Sequence, residues 1–395
     1  MNSIIDQAPQ VSEAYDMNTA DAHAYMGKVE QWLSTQNKGI DECISDASLL
    51  GDKALALGTA LKFIKSKQII LGLKEKVNVS LINPVYKEIG RLKRREEHPH
   101  GENSLRTKIA CLDYFHSINP LFNGRVIVVD DGCPDGSGAF AKQILSEYPD
   151  SPHHVYFLEE AIVAQDPDTP EGITEKSGSN RSVKGGAVLF GMKKALQSSY
   201  EGLHIIIDND ADLSVHPMQV GLLLEDIVNG NAKVVAGSRR EKDSIALIGG
   251  SRNSRGNLFI QIWKHFLPEL AKHITDTNRA FKAFESEALR EILPLIKIYT
   301  FPYQIEVLQA TLSLGIPLVK KGIAYIDSEA ASTQSGDNIT ETYLNQIHQI
   351  MDISQRYKTI DDSDPLFAFF NSISEEDWMR IESNPPDKLL DLVNL

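Results

Sequence analysis

Cysteine is scarce. Of the 395 residues only Cys43, Cys111 and Cys133 are cysteines, odd in number and without CxxC spacing, which excludes a disulfide framework and suits a reducing cytoplasm. Long apolar runs are missing as well. Nowhere does one approach the roughly 18 residues that a membrane span needs, and the start, MNSIIDQAPQVSEAYD, has no basic segment followed by an apolar one. A cytoplasmic chain with no transmembrane anchoring is therefore expected. Basic surplus is the third absence. With 40 Lys and Arg against 54 Asp and Glu, the net charge is -14, so nucleic acid and anionic membrane surfaces are excluded as partners and any phosphate must be met by local groups.

What remains is ordinary globular material, 42% hydrophobic and 24% charged, enough to bury a large core. The chemistry is concentrated in LHIIIDNDADLSVHP, residues 203–217. Leu203 to Ile207 is apolar apart from His204 and has no turn former, as in a buried strand of a parallel sheet. Asp208, Asp210 and Asp212 follow at alternate positions. On an extended backbone their carboxylates share one face at roughly 6.6 Å per step. Neighbours at that distance repel by about 2.5 kcal/mol at an effective dielectric near 20. Such a cluster at a strand's carboxyl end suits a hard cation, Mg²⁺ or Mn²⁺, shared with substrate phosphates; the alternative is a solvated acidic turn.

Other stretches share the strand, turn, helix order. KVNVSLINPVYKEIGRL (76–92) predicts a strand from Val77 to Ile82 that ends at Asn83-Pro84, since proline has no place in a central strand. GRVIVVDDGCPDGSGAFAKQIL (124–145) predicts a strand over Val126 to Val129, an acidic glycine-rich turn and a helix. It lacks the alternating ligands and closing Glu of a calcium loop. Residues 153–160 predict a third strand, and the polar stretch 164–182 a long loop leading to a helix opened by Lys184-Gly185-Gly186. Backbone N–H groups there, with Lys184 and Arg181, suit a phosphate; a plain N-terminal turn is an equal reading. A strand over 232–240 leads to Arg239 and Arg240, and residues 241–256 read as a flexible basic segment with Arg252 and Arg255. The four arginines either grip an anionic substrate or pair with surface carboxylates. A helix is expected over 257–271, then Asp276 as a candidate base, then a helix carrying Glu306 inward and a strand closing on Asp327. Residues 1–75 predict a helical N-terminal extension and 336–395 a helical C-terminal one.

In this order Asn-Pro-Val-Tyr-Lys-Glu (83–88), Val-Asp-Asp-Gly (129–132), Lys-Gly-Gly-Ala (184–187), Asp-Ala-Asp-Leu-Ser (210–214) and Gly-Ser-Arg (237–239) resemble family 2 glycosyltransferases of the GT-A fold. Ser-Arg-Gly-Asn (254–257) and Asp-Thr-Asn-Arg-Ala-Phe-Lys-Ala-Phe (276–284) resemble the branch of dolichyl-phosphate mannose synthase and dolichyl-phosphate glucosyltransferase. The resemblance covers about 76–335. It implies an α/β fold with a mostly parallel central sheet flanked by helices, a glycosyltransferase domain over 76–335, and a nucleotide-sugar donor, UDP- or GDP-linked. Pro84, Tyr86, Glu88, Asp130 and Asp131 would hold base and ribose, Arg181, Lys184 and Asp210 the diphosphate side, and Asp210 with Asp212 the Mg²⁺ or Mn²⁺. Inverting transfer needs a base: Asp276 is the first candidate and Glu306 the second. Arg239, Arg252 and Arg255 would face a soluble, anionic acceptor. Membrane helices usual in the branch are absent, and residues 249–271 also faintly resemble glucosyl-3-phosphoglycerate synthase, a soluble retaining enzyme. A non-catalytic nucleotide-sugar-binding protein is the reading from another class. The sequence admits a homodimer.

Overall fold

The computed structural model describes residues 1–9, 20–174, 181–247, 251–327, 339–383, 385–386 and 388–394. Helices α1 (Ala20–Ser34) and α2 (Leu55–Leu71) precede strand β1 (Val77–Val85). Then come α3 (Ser104–Ile118), β2 (Phe122–Asp130), α4 (Ser137–Leu145), β3 (His154–Phe157), α5 (Gly185–Leu196) and β4 (Leu203–Asp208). The second half runs α6 (Val220–Val228), β5 (Val234–Ser238), β6 (Ile245–Leu247), α7 (Ser251–Phe266), β7 (Lys282–Glu285), α8 (Tyr303–Ser313), β8 (Leu318–Gly322), β9 (Ala324–Ile326) and α9 (Ile339–Tyr357). Seven strands form one sheet in the order β3-β2-β1-β4-β7-β5-β8, and β6 pairs with β9 beside it. All of these pairings are parallel except those of β7, which runs antiparallel between β4 and β5.

Continuous apolar strands arise because both sheet faces are covered. Side chains alternate sides: Val126, Val128, Ile205 and Ile207 pack into one apolar core with α2 and α3, while Ile127, Val129 and Ile206 pack into the other with α5, α7 and α9. Each fully buried isoleucine contributes about 1.5–3 kcal/mol. Trimming Ile206 to Ala would cost about 2–5 kcal/mol through the cavity left behind. The N-terminal helices join the first core rather than sit apart. Ser66 of α2 accepts no space-filling neighbour: a Cβ on Gly221 would lie 2.3 Å from its carbonyl oxygen, so the helices meet backbone to backbone and Gly221 N–H donates to Ser66 Oγ at 2.9 Å.

Several boundaries differ from expectation. β1 continues through Pro84, which stays in register with Val129 of β2; pairing to β4 stops at Ile82, so the proline sits where one side of the strand is already an edge and its missing donor is tolerated. The third strand stops at Phe157, and a short helix, Leu158–Val163, takes the rest. Residues 251–256, expected to be flexible, begin helix α7, and that helix ends at Phe266 because Pro268 starts a new one. The strand β7, within the stretch expected to hold only a base and apolar residues, was not foreseen; short apolar runs carry no pairing direction.

Candidate active site

Strand order places the site. β1 lies between β2 and β4, so the connections reverse there, and open α/β sheets bind ligands in the crevice at the carboxyl ends of such strands. A cleft of about 1190 Å³ opens at that point. Pro84, Tyr86 and Glu88 line it from the end of β1, Asp131 from β2, and Asp210 and Asp212 from β4. Arg181 and Lys184 reach it ahead of α5, and Arg239, Arg240 and Asp276 from the β5 and β7 side.

Asp210 is paired with two cations in the cleft. Lys184 Nζ donates to its Oδ1, and Arg279 Nη2 to its Oδ2 at 3.0 Å. Burial pushes the carboxyl up, yet Lys184 and Arg279 outweigh it and hold the group well below the ordinary range. Asp212 lines the cleft beside it, its Oδ1 accepting from Ser214 N–H at 3.1 Å. Asp208 does not join them. The strand ends at that residue, and its carboxylate turns inward to accept from Lys282 N–H at 2.6 Å and Tyr303 O–H at 3.2 Å. The expected row of three carboxylates on one extended face is thus a pair in a loop, with the first carboxylate spent on fixing β7.

A residue missed in the sequence holds that loop. Lys108 of α3 is fully buried, and its Nζ donates to the main-chain oxygens of Asp210 at 2.8 Å, Ala211 at 2.9 Å and Asp212 at 3.2 Å. Burial lowers its pKa to about 8, against the pull of Asp212 and Glu102. Glu102 adds a second tie, accepting from Leu213 N–H at 2.8 Å. A signal existed: Lys108 falls three residues after Leu105 and four before Leu112, inside the buried stripe of an amphipathic helix.

Neighbouring acidic residues divide their labour. Asp130 caps the glycine-rich turn, accepting from Cys133 N–H at 2.8 Å and Gly138 N–H at 2.6 Å, and does not line the cleft. Of the two expected at the nucleotide, Asp131 is the carboxylate presented to the cleft, while Asp130 is turned to the backbone of the turn. Asp131 accepts from Lys184 N–H at 2.6 Å, and burial pushes it up to about 6. Lys184 itself has φ of 69°, a strained backbone for a residue with a side chain. Gly185 follows because a Cβ there would lie 2.6 Å from the Tyr299 carbonyl carbon.

Across the cleft, Arg239 grips Asp276 with Nε at 2.7 Å, Nη2 at 2.8 Å and its own N–H at 3.1 Å. Burial raises the Asp276 carboxyl, but Arg239 dominates and brings it down to about 2. Such a carboxylate is a poor proton acceptor as it stands. Arg239 and Arg279 both lie over the Tyr325 ring, 5.0 Å and 4.9 Å from its centroid. Glu306, expected as a second base, is fully buried and outside the cleft lining. It accepts from Ile298 N–H at 2.8 Å and Lys297 N–H at 3.0 Å and pairs with Arg356; its inward period found the core, away from the cleft where a base is expected. Arg181 is exposed at the cleft, 6.0 Å from the Tyr299 ring. The side chains of Arg252 and Arg255 lie outside the described residues.

Residues 110–293 match the family described as Glycosyl transferase family 2. The chain is 27% identical over 226 residues to undecaprenyl-phosphate mannosyltransferase of Micrococcus luteus, covering 56% of this chain and 79% of the relative. It is 28% identical over 233 residues to polyprenol monophosphomannose synthase of Mycolicibacterium smegmatis, covering 56% and 78%. Among solved structures it is similar to glucosyl-3-phosphoglycerate synthase from Mycobacterium tuberculosis in complex with UDP, at 15% identity and a TM-score of 0.45, over 75% of this chain and 84% of that one. The fold is of the α/β GT-A class, a mostly parallel central sheet flanked by helices. Residues 110–293 carry a family 2 glycosyltransferase domain, and the chain is a glycosyltransferase; both named relatives come from the branch its motifs resemble. No described helix is long and apolar enough to cross a membrane.

Proposed function

We propose that this enzyme transfers a sugar from a UDP- or GDP-linked donor to a hydroxyl of a soluble acceptor in the cytoplasm, with inversion and with Mg²⁺ or Mn²⁺ as cofactor. The observation that carries this reading is the pairing of Asp210 with Lys184 and Arg279 at the switch point of the sheet. Two cations already converge where a diphosphate would lie, and the carboxylate they neutralise would share a metal with phosphate oxygens there. Among the described residues no group of three or more His, Cys, Asp or Glu could hold a metal ion alone. Two carboxylates fit Mg²⁺ or Mn²⁺ that also takes phosphate oxygens, rather than a metal caged by protein. Asp210 and Asp212 would hold it, and when bound it offsets charge growing on the leaving diphosphate.

Pro84, Tyr86 and Glu88 would receive the base and ribose with Asp131, and Arg181, Lys184 and Arg279 the phosphates. Asp276 would take the acceptor proton. The Arg239 grip that holds its pKa at about 2 would have to loosen for it to do so. The residues expected to face an anionic acceptor are reduced, since Arg239 is occupied by Asp276. The relatives named for polyprenyl phosphates suggest a lipid acceptor as the competing reading. Turnover of UDP- and GDP-sugars with water-soluble acceptors and with a short polyprenyl phosphate in detergent separates the two. The anomeric configuration of the product, read by proton NMR, tests inversion, and retention would favour the alternative mechanism.

A further inference from the structure

We infer that the wall of the cleft built by α7 and α9 is a carbohydrate subsite, so that the acceptor hydroxyl belongs to a sugar. The inference rests on the glycosyl-transfer reading and names its acceptor. A volume of about 1190 Å³ exceeds the roughly 300–1,000 Å³ of a site for one small ligand, leaving room for a second beside the donor. The lining also changes character. Around Asp210 it is ionic, whereas the wall in question presents Phe259, Ile260 and Trp263 from α7 and Tyr343, Gln346 and Gln349 from α9.

The described side chains that these two helices turn to the cleft include no lysine or arginine and one carboxylate, Asp352. Among the described side chains of this wall, a phosphate or carboxylate acceptor meets no lysine or arginine. Phe259 and Tyr343 instead meet edge to face, 6.0 Å apart at 77°, giving a rigid aromatic corner against which the apolar C–H face of a pyranose packs. Two carboxamides complete it. Gln349 is fixed by Thr300 Oγ1 at 2.6 Å, and Thr300 adjoins Tyr299, whose carbonyl accepts from Gly186 N–H at 3.0 Å at the start of α5; the wall is therefore next to the phosphate end of the donor site. Gln346 is 4% exposed, yet its Nε2 has no hydrogen-bond partner among the described residues, and the same holds for Asn278 Oδ1. A buried amide left unpaired is destabilising. Sugar hydroxyls, each both donor and acceptor, satisfy an amide N–H and an amide oxygen alike.

The test titrates methyl α-glucoside, methyl α-mannoside and glycerol 3-phosphate into the full chain saturated with UDP or GDP and Mn²⁺, followed by ligand-observed NMR. A methyl glycoside should bind and glycerol 3-phosphate should not. Tyr343→Ala, on a half-buried position, should weaken glycoside binding at least tenfold while nucleotide affinity, which also reports folding, stays within twofold. Glycerol 3-phosphate binding without glycoside binding overturns the inference. So does a parallel loss of nucleotide and glycoside affinity in Tyr343→Ala, which would assign the wall to the donor. Glycoside failure with nucleotide bound removes the sugar acceptor alone; failure of every nucleotide to bind removes the glycosyl-transfer reading with it.

Discussion

Lys108 Nζ lies 2.8 Å from the main-chain oxygen of Asp210, so a buried ammonium from one helix sets the backbone of the acidic loop from behind. Its three acceptors are the carbonyls of the loop residues themselves. Replacing it by Met strands those carbonyls in the interior, at about 1–3 kcal/mol apiece where water cannot reach. Lys108→Met should therefore lower nucleotide affinity in Mn²⁺ at least tenfold, although Lys108 touches neither ligand. Calorimetry checks this, with the melting temperature as the control for global unfolding.

Asp276→Asn should reduce turnover by about a hundredfold or more with donor affinity nearly unchanged, because the amide cannot take a proton. Steady-state kinetics with separate donor titrations decide it. Near wild-type turnover would leave Asp276 as the anchor of Arg239 and nothing more.

The same pair has a signature in stability. The folded-state pKa of Asp276, about 2, lies below its ordinary value of 3.8. The contribution is thus fully present above about pH 4 and lost as pH falls through about 2, amounting to about 2 kcal/mol. Wild type should lose stability across that window more steeply than Asp276→Asn, as read from denaturant midpoints at a series of pH values.

Glu306→Gln should leave nucleotide affinity near wild type and lower stability by about 2 kcal/mol, since it breaks a buried pair with Arg356 and weakens ties to two backbone N–H groups. Thermal melts beside nucleotide titrations separate these effects.

The ends of β1, β2 and β4 were legible because turn chemistry and acidic residues punctuate apolar runs there, and this sufficed to single out Tyr86, Glu88, Asp131, Lys184, Asp210 and Asp212, which the fold brings to one cleft. Adjacent carboxylates were harder. Asp130 and Asp131, or Asp208 and Asp210, look alike in sequence, and only the turn geometry decides which one caps backbone and which faces the cleft. Arg279 and Lys108 depend on partners 69 and 102 positions away, and no local pattern encodes such a partner. The contribution of α9 to the cleft was hidden for the same reason: its periodicity announces a helix and a buried face, while its neighbours are set by the tertiary fold.

The central claim is that Asp210 and Asp212 bind a nucleoside diphosphate through a divalent metal, and isothermal titration of UDP and GDP into the full chain, with Mn²⁺ or with chelator, tests it most directly. The account predicts that one nucleotide binds at least tenfold more tightly with Mn²⁺ and that Asp210→Asn abolishes the difference. Equal affinity in metal and in chelator would contradict it.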